Sequence, residues 1–170
     1  SQKDVKQRGH SIECRIYAED PSRNFLPTPG IVHKMILPEG PGVRNDVGIS
    51  EGQEVTSAYD PLLAKLVVWD SDRNAAIDRM DNALSNFIIL GLITNQPFLR
   101  DIMQNDSFQK CTFSTGFIEE HYTTWNHGEL PTEIMVAALL GSKSSGQEVQ
   151  KLSRDPYSPW SSKGGWRQGN

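Results

Sequence analysis

The sequence predicts an α+β domain, in which an antiparallel β-sheet from the N-terminal half packs against helices from the C-terminal half. Up to Asp70, apolar and polar residues alternate between Pro- and Gly-rich turns, which is the period of half-buried strands. From Asp72 onward, apolar residues recur at intervals of three and four, which is the period of an amphipathic helix. Strands and helices that are segregated along the chain are typical of the α+β class, and short connections favour antiparallel pairing.

Residues 11–17 form the first predicted strand, because the apolar side chains at every second position can face a core while those between them face solvent. Arg15 therefore belongs to the polar face of this strand. Beyond it, the turn sequences Pro-Thr-Pro-Gly at 27–30 and Pro-Glu-Gly-Pro-Gly at 38–42 punctuate the chain. Further strands are predicted over residues 31–37, 53–57 and 65–69.

The first predicted helix spans residues 72–90 and ends at Gly91. Its apolar stripe, which we expect to pack on the sheet, consists of Ala76, Ile77, Met80, Ala83, Leu84, Phe87 and Ile88. Asn95 is a candidate N-cap for a short helix that carries Phe98, and Ser114 is one for a helix that reaches Trp125. A last apolar helix is predicted over residues 132–140.

The composition argues against several classes of protein. The chain has 170 residues, with 17 Lys and Arg against 21 Asp and Glu, so its charge of −4 does not suit a nucleic-acid partner. No apolar run approaches the ~18 residues of a membrane span, which predicts a soluble protein with no membrane partner. Cys14 and Cys111 form no Cys-x-x-Cys pair and the four histidines show no ligand spacing, so no metal site is predicted.

The charge balance changes at Gly141. Residues 1–140 contain 12 basic and 19 acidic residues, whereas residues 141–170 contain 5 and 2. The sequence Gly-Ser-Lys-Ser-Ser-Gly that begins there is typical of a flexible linker. We therefore expect a folded domain over 1–140 and a flexible linker and tail over 141–170. Because the first residue is Ser and a strand follows within ten residues, we also expect the chain to be a fragment of a longer protein.

Six ordered segments of the chain share one resemblance. They are Arg8-Gly-His-Ser-Ile-Glu-Cys-Arg-Ile-Tyr-Ala-Glu-Asp20, Phe25-Leu-Pro-Thr-Pro-Gly30, Pro41-Gly-Val-Arg-Asn-Asp46, Tyr59-Asp-Pro-Leu-Leu-Ala-Lys-Leu66, Ala76-Ile-Asp-Arg-Met80 and Gly91-Leu-Ile-Thr-Asn95. In order and in spacing, they resemble the successive motifs of the C-terminal domain of biotin carboxylases. The tail sequence Ser158-Pro-Trp-Ser-Ser-Lys-Gly-Gly-Trp-Arg167 is similar to the segment that follows biotin carboxylase in the α subunits of acyl-CoA carboxylases.

The resemblance implies an ATP-dependent ligase as the parent protein. In the family, ATP and bicarbonate form carboxyphosphate, which yields CO2 and phosphate; phosphate then deprotonates the biotin ureido nitrogen, and the enolate attacks CO2. The ATP-grasp half that binds ATP, Mg2+ and bicarbonate lies upstream of this domain, and biotin is carried on another domain. None of the four Met residues is followed by Lys, so this chain lacks the biotinyl-lysine motif. We therefore expect the isolated chain to be inactive.

The resemblance also implies roles for particular side chains. Arg15 is expected to stabilise negative charge on the biotin ureido oxygen, because a guanidinium stays charged and directs several donors at an anion. Asp60 is expected to orient basic groups nearby, while Glu13 and Tyr59 are expected to line the biotin pocket. Arg44 is a candidate for a subunit contact. Without the motifs, Arg15 is better explained as a surface residue beside Glu13, and Asp60 as the cap of a turn.

The implied partners are the upstream ATP-grasp half, the biotin carboxyl carrier domain and, through the tail, the carboxyltransferase β subunit. The family also implies a homodimer as a further assembly. Acetyl, propionyl, methylcrotonyl and geranyl groups stay open as the acyl group, and pyruvate and urea carboxylases contain an equivalent domain. A non-catalytic role in assembly is the alternative function. A bacterial cytoplasm and a mitochondrial matrix are both compatible with the sequence.

Overall fold

The computed structural model describes residues 2–126, together with Gly128, Thr132 and Val136. Apart from two of these residues, the predicted helix over 132–140 lies outside the described part of the chain. The predicted linker and tail over 141–170 lie outside it entirely.

All the strands and longer helices described belong to the unit Ser1–His127, one of two into which the chain divides. In chain order they are β1 (His10–Tyr17), β2 (Glu19–Asp20), β3 (Leu26–Pro27), β4 (Gly30–Ile31), β5 (Lys34–Ile36), β6 (Val43–Val47), β7 (Glu54–Val55), β8 (Leu62–Asp70), α1 (Arg73–Asn86), β9 (Ile88–Leu90), α2 (Gln96–Gln104), α3 (Asp106–Gln109) and α4 (Phe117–His121). The predicted α+β class is confirmed.

The main sheet has three strands in the order β1-β8-β6, and both pairings are antiparallel. Lys65 in the central strand pairs with Arg15 on one side and with Asp46 on the other, so these three side chains share one face of the sheet. The remaining strands form three short antiparallel pairs: β2 with β3, β4 with β7, and β5 with β9.

Helix α1 covers the apolar face of this sheet. Its N-cap is Asp72, whose carboxylate accepts a hydrogen bond from the backbone N–H of Ala75 at 3.0 Å. The predicted apolar stripe is buried from Ala76 to Phe87, where it packs with Ile12, Cys14, Ile16, Leu66 and Val68 of the sheet. Burying each large aliphatic side chain in such a core contributes roughly 1.5–3 kcal/mol.

The predicted helix over 72–90 is too long. Helix α1 ends at Asn86, and Ile88–Leu90 forms strand β9 against Lys34–Ile36. Two β-branched residues and a leucine suit a strand well, and the unpaired edge of β5 supplies the hydrogen-bonding partner. Gly91 has a φ of +114°, and a Cβ atom there would collide with the carbonyl oxygen of Ile31. Gly91 is therefore needed where the chain passes close to Ile31, and it does not end the helix.

Two predicted helix starts are partly corrected. Helix α2 begins after Asn95 as predicted, but the Asn95 side chain makes no capping bond. Ser114 accepts a hydrogen bond from Gly116, which is the residue that precedes α4. Helix α4 ends at His121, so Trp125 lies beyond it and its indole N–H bonds to the Asp101 carboxylate.

Strand β6 was not predicted, because its centre is the polar sequence Arg-Asn-Asp. Polar residues of this kind are poor strand formers, and only pairing with β8 specifies the extended conformation. Among the described residues, no helix combines the length and the apolar character needed to cross a membrane.

Candidate functional site

The face of the main sheet turned away from α1 carries charged side chains from all three strands. We call it the polar sheet face and define it by Glu13 and Arg15 on β1, Lys65 on β8, and Arg44 and Asp46 on β6. The alternation of apolar and polar residues in β1 places Glu13 and Arg15 there, as predicted. The face brings together three of the five predicted site residues.

Arg15 is the exposed cation of β1. Its Nε donates a hydrogen bond to Glu13 Oε1 at 3.2 Å, and the two side chains are 60% and 43% exposed. The bond to Glu13, followed by interactions with the Tyr17 side chain, raises the pKa of Arg15, so the guanidinium stays charged. An accessible, permanently charged group with several donors can bind an anion or a developing oxyanion.

Arg44, Asp46 and Lys65 form a second charged group on the same face. Arg44 donates to both oxygens of Asp46, at 2.9 Å from Nε and 3.0 Å from Nη2, and Lys65 Nζ lies 3.8 Å from Asp46 Oδ2. The bond to Arg44 is the main reason why the pKa of Asp46 is lowered. Because Arg44 is 73% exposed, this pair adds little to stability and leaves the arginine accessible to a partner.

Tyr59 and Asp60 lie in the turn before β8, away from this network. Asp60 Oδ1 accepts a hydrogen bond from the backbone N–H of Leu62 at 2.9 Å, which is the role of a local turn cap. Tyr59 is 84% exposed, and both residues line a shallow cavity of about 180 Å3. No hydrogen bond or ion pair joins Asp60 to Arg15 within the described residues.

The sequence analysis assigned no role to two residues near the predicted site. Tyr17 follows Arg15 on the polar face of the strand, where the alternating pattern places it. Glu19 lies beside Asp60, and its pKa is raised by burial first and by the Asp60 charge second. Glu19 belongs to the first of the six motif segments, but its proximity to Asp60 depends on the pairing of distant segments.

The other reactive groups do not extend this site. Cys14 is buried in the core, and burial raises its pKa to about 12, so its thiol is not a nucleophile near neutral pH. Among the described residues, no group of three or more His, Cys, Asp or Glu side chains could hold a metal ion. A cavity of about 730 Å3 lies between α1 and the segment Ile36–Val43, and none of the predicted site residues lines it.

The family model described as the biotin carboxylase C-terminal domain matches residues 13–120. The chain is 40% identical, over 98% of its length, to the alpha subunit of the mitochondrial methylcrotonoyl-CoA carboxylase of Dictyostelium discoideum, of which it covers 24%. It is 46% identical, over 71% of its length, to a pyruvate carboxylase subunit of Methanothermobacter thermautotrophicus, of which it covers 25%. The chain therefore spans about a quarter of the length of these curated relatives.

A solved structure extends the comparison to the fold. The biotin carboxylase domain dimer of the Hydrogenobacter thermophilus 2-oxoglutarate carboxylase, in complex with MgADP, ADP and bicarbonate, superposes with a TM-score of 0.72. The two chains are 41% identical, and the match covers 76% of this chain and 28% of the other.

Proposed function

Since this chain belongs to the biotin carboxylase C-terminal domain family, we propose that it contributes part of the biotin site in the ATP- and bicarbonate-dependent carboxylation of biotin. The observation that carries the proposal is Arg15, an accessible guanidinium on the polar sheet face that Glu13 holds from one side. The parent protein is then a ligase, and this chain supplies one half of its active site.

Arg15 has the chemistry that this role requires. Biotin, when bound, offers a ureido oxygen that gains negative charge as its nitrogen loses a proton. A guanidinium that is already charged and positioned can stabilise that oxygen without reorganising. Glu13 limits the directions that the guanidinium can adopt, because it accepts a hydrogen bond from Nε. Such a fork of donors suits a carbonyl-type oxygen.

Tyr59 and Asp60 complete the proposed pocket on the turn before β8. Leu62, the residue that Asp60 caps, pairs with Tyr17 of β1, so the turn lies beside the end of the strand that carries Arg15. We propose that Tyr59 covers the biotin ring and that Asp60 orients basic groups brought by the rest of the subunit.

ATP and Mg2+ are assigned to an ATP-grasp half outside this chain. The described residues contain no cluster of acidic side chains suited to a cation, and the curated relatives are about four times as long as this chain, which leaves room for that half. The covalent biotin belongs to another domain, since the chain lacks a Met-Lys sequence. We therefore assign no ATP contact to this chain.

An acyl-CoA carboxylase α subunit is the parent that the comparisons favour. The match to the methylcrotonoyl-CoA carboxylase protein covers 98% of the chain, whereas the match to the pyruvate carboxylase protein covers 71%. The longer match extends into residues 141–170, whose composition predicts a linker and whose resemblance implies a connection toward the carboxyltransferase β subunit. We accordingly propose a domain over 1–140 and a connecting segment over 141–170.

A role in the assembly of subunits is the second candidate function. The observation that favours it is Arg44, which is exposed on β6, the edge strand of the main sheet. A second copy of the domain could bind at this edge and form a homodimer. The two functions are compatible, because Arg44 and Arg15 lie on outer strands separated by β8.

The proposal is tested by bicarbonate-dependent ATP hydrolysis with free biotin as the acceptor. The chain alone is compared with the same chain joined to its ATP-grasp half. We expect no turnover from the chain alone and biotin-stimulated turnover from the joined protein. If the joined protein binds ATP yet carboxylates no biotin, the assembly function replaces the catalytic one.

A further inference from the structure

Asn95 stands at the N-terminus of α2 but does not cap it. Its side chain makes no hydrogen bond to the N–H groups of the first turn, although asparagine is among the preferred residues at this position. The residue is only 6% exposed, so its carboxamide is directed into the protein. A buried polar side chain of this kind needs other partners.

Those partners are backbone groups of β1. Asn95 Nδ2 donates to the carbonyl oxygen of Arg15 at 3.0 Å, and Asn95 Oδ1 accepts from the backbone N–H of Tyr17 at 3.0 Å. The backbone N–H of Asn95 donates to the carbonyl oxygen of Tyr17 at 3.2 Å. Three hydrogen bonds thus join Asn95 to these two residues near the end of β1.

These bonds replace a neighbouring strand. Strand β1 lies at the edge of the main sheet, with β8 on its other side, so its outer N–H and C=O groups have no strand partner there. A carboxamide presents one donor and one acceptor, as a peptide group does. Asn95 therefore satisfies the outer edge of β1 at Arg15 and Tyr17, while β8 satisfies the inner edge.

We infer that Asn95 is a positioning residue for Arg15, an inference that rests on the proposed function of that arginine. With both edges bonded, the backbone at Arg15 is fixed, and only the side-chain torsions remain to be set. Glu13 restrains those torsions through Nε. Without the carboxamide, the carbonyl of Arg15 and the N–H of Tyr17 lose their partners, and the end of β1 is held only by β8 and by the backbone bond from Asn95 to Tyr17.

Small displacements matter at such a site. Moving a reacting group by about 1 Å can cost about a hundredfold in rate. Asn95 touches Arg15 only through the backbone, so its effect should fall on the biotin step and not on ATP binding.

The test uses the full-length subunit, in which this chain is joined to its ATP-grasp half. Asn95→Ala removes the two side-chain bonds, and Asn95→Asp keeps the acceptor for Tyr17 while it removes the donor to Arg15. Asn105→Ala is the matched control, because Asn105 caps α3 through two bonds to the backbone N–H groups of Ser107 and Phe108. Arg15→Ala reports on the proposed function itself.

We expect both Asn95 variants to lower kcat for carboxylation of free biotin by about ten- to a hundredfold, with the KM for ATP and the biotin-independent ATP hydrolysis unchanged. Hydrogen exchange in peptides that cover β1 should accelerate in Asn95→Ala. Asn105→Ala should leave the biotin step at its normal rate.

The outcomes separate the inference from the function on which it rests. A defective Arg15→Ala beside normal Asn95 variants would overturn only the positioning role. If the Asn95 variants lose biotin-dependent and biotin-independent turnover in equal proportion, Asn95 is merely structural and the inference is again wrong. Normal carboxylation by Arg15→Ala would instead reject the proposed function.

Discussion

Arg15 and Lys65 lie directly opposite each other on β1 and β8, with their side chains on the same face of the sheet. Like charges at such a position destabilise a pair of strands. Here each cation has an acidic neighbour, Glu13 for Arg15 and Asp46 for Lys65, and the contact of Lys65 is long, at 3.8 Å. The face keeps a local excess of positive charge, which is the property that an anion-stabilising site requires.

The first prediction concerns the charge at Arg15. In the full-length subunit, Arg15→Ala should lower kcat for carboxylation of free biotin by about 10²–10³, the usual loss when one donor to a developing oxyanion is removed. Arg15→Lys should recover part of this loss, because it keeps the charge but not the fork of donors. Steady-state kinetics at saturating ATP provides the measurement.

Arg23→Ala is the control for that experiment, since Arg23 is an exposed arginine outside the polar sheet face. It should retain full activity. Equal losses in Arg15→Ala and Arg23→Ala would indicate a general effect of charge and would remove the assignment to Arg15.

The second prediction concerns acid stability at the end of β8. A backbone hydrogen bond from Ser71, followed by the bond from Arg79, lowers the pKa of Asp70 below its ordinary value of 3.8. Because the folded-state pKa is the lower one, the stabilisation is fully present above about pH 4 and disappears as the pH falls through the folded-state value. Asp70→Asn should therefore be destabilising at pH 7 and nearly neutral at the lowest pH.

Urea unfolding of the wild type and of Asp70→Asn, measured from about pH 7 to about pH 2, shows whether the difference in unfolding free energy shrinks as the pH falls. Asp78→Asn serves as the control, because Asp78 is exposed on α1. A difference in unfolding free energy that stays constant from about pH 7 to about pH 2 would contradict the role of the Asp70 carboxylate.

The third prediction concerns the stripe of α1. Met80 and Leu84 are fully buried against the sheet, so Met80→Ala and Leu84→Ala should each cost about 2–5 kcal/mol in the free energy of unfolding. Denaturant unfolding measures these free energies directly. Asp78→Ala, on the exposed side of the helix, should change the free energy of unfolding by no more than about 0.5 kcal/mol. Comparable losses at all three positions would mean that α1 does not pack through this stripe.

The fourth prediction distinguishes the two cysteines. Cys111 is exposed, whereas Cys14 is buried with a pKa of about 12. In the native protein at about pH 8, iodoacetamide should modify Cys111 and leave Cys14 unmodified, and in concentrated urea it should modify both. Peptide mass spectrometry reads out each site, and native labelling of Cys14 would show that the first strand is not in the core.

Local patterns in the sequence were enough for several elements. The alternation over residues 11–17 predicted β1 and the side of the sheet on which Arg15 lies. The three- and four-residue spacing predicted α1 and its buried stripe, because a helix repeats its face at that interval. The motifs around Arg15, Asp60 and Asn95 identified the family, which the match over residues 13–120 confirmed.

Other elements depend on contacts between distant residues. Strand β6 is polar and becomes a strand through its pairing with β8, and β9 leaves the helical pattern of α1 because β5 offers an unpaired edge. In the site, the roles predicted for Asp60 and Tyr59 stay predictions, since the only bond seen at Asp60 among the described residues is the local one to Leu62.

The sequence by itself determined the class of fold, the strand and face of Arg15, and the family. Only the tertiary structure decided what Asn95 does. Its residue type and position indicate an N-cap, yet its carboxamide bonds to Arg15, which lies 80 positions earlier in the chain. Periodicity and capping rules describe neighbours along the chain, whereas a buried side chain bonds to whichever backbone group the fold brings within about 3 Å of it.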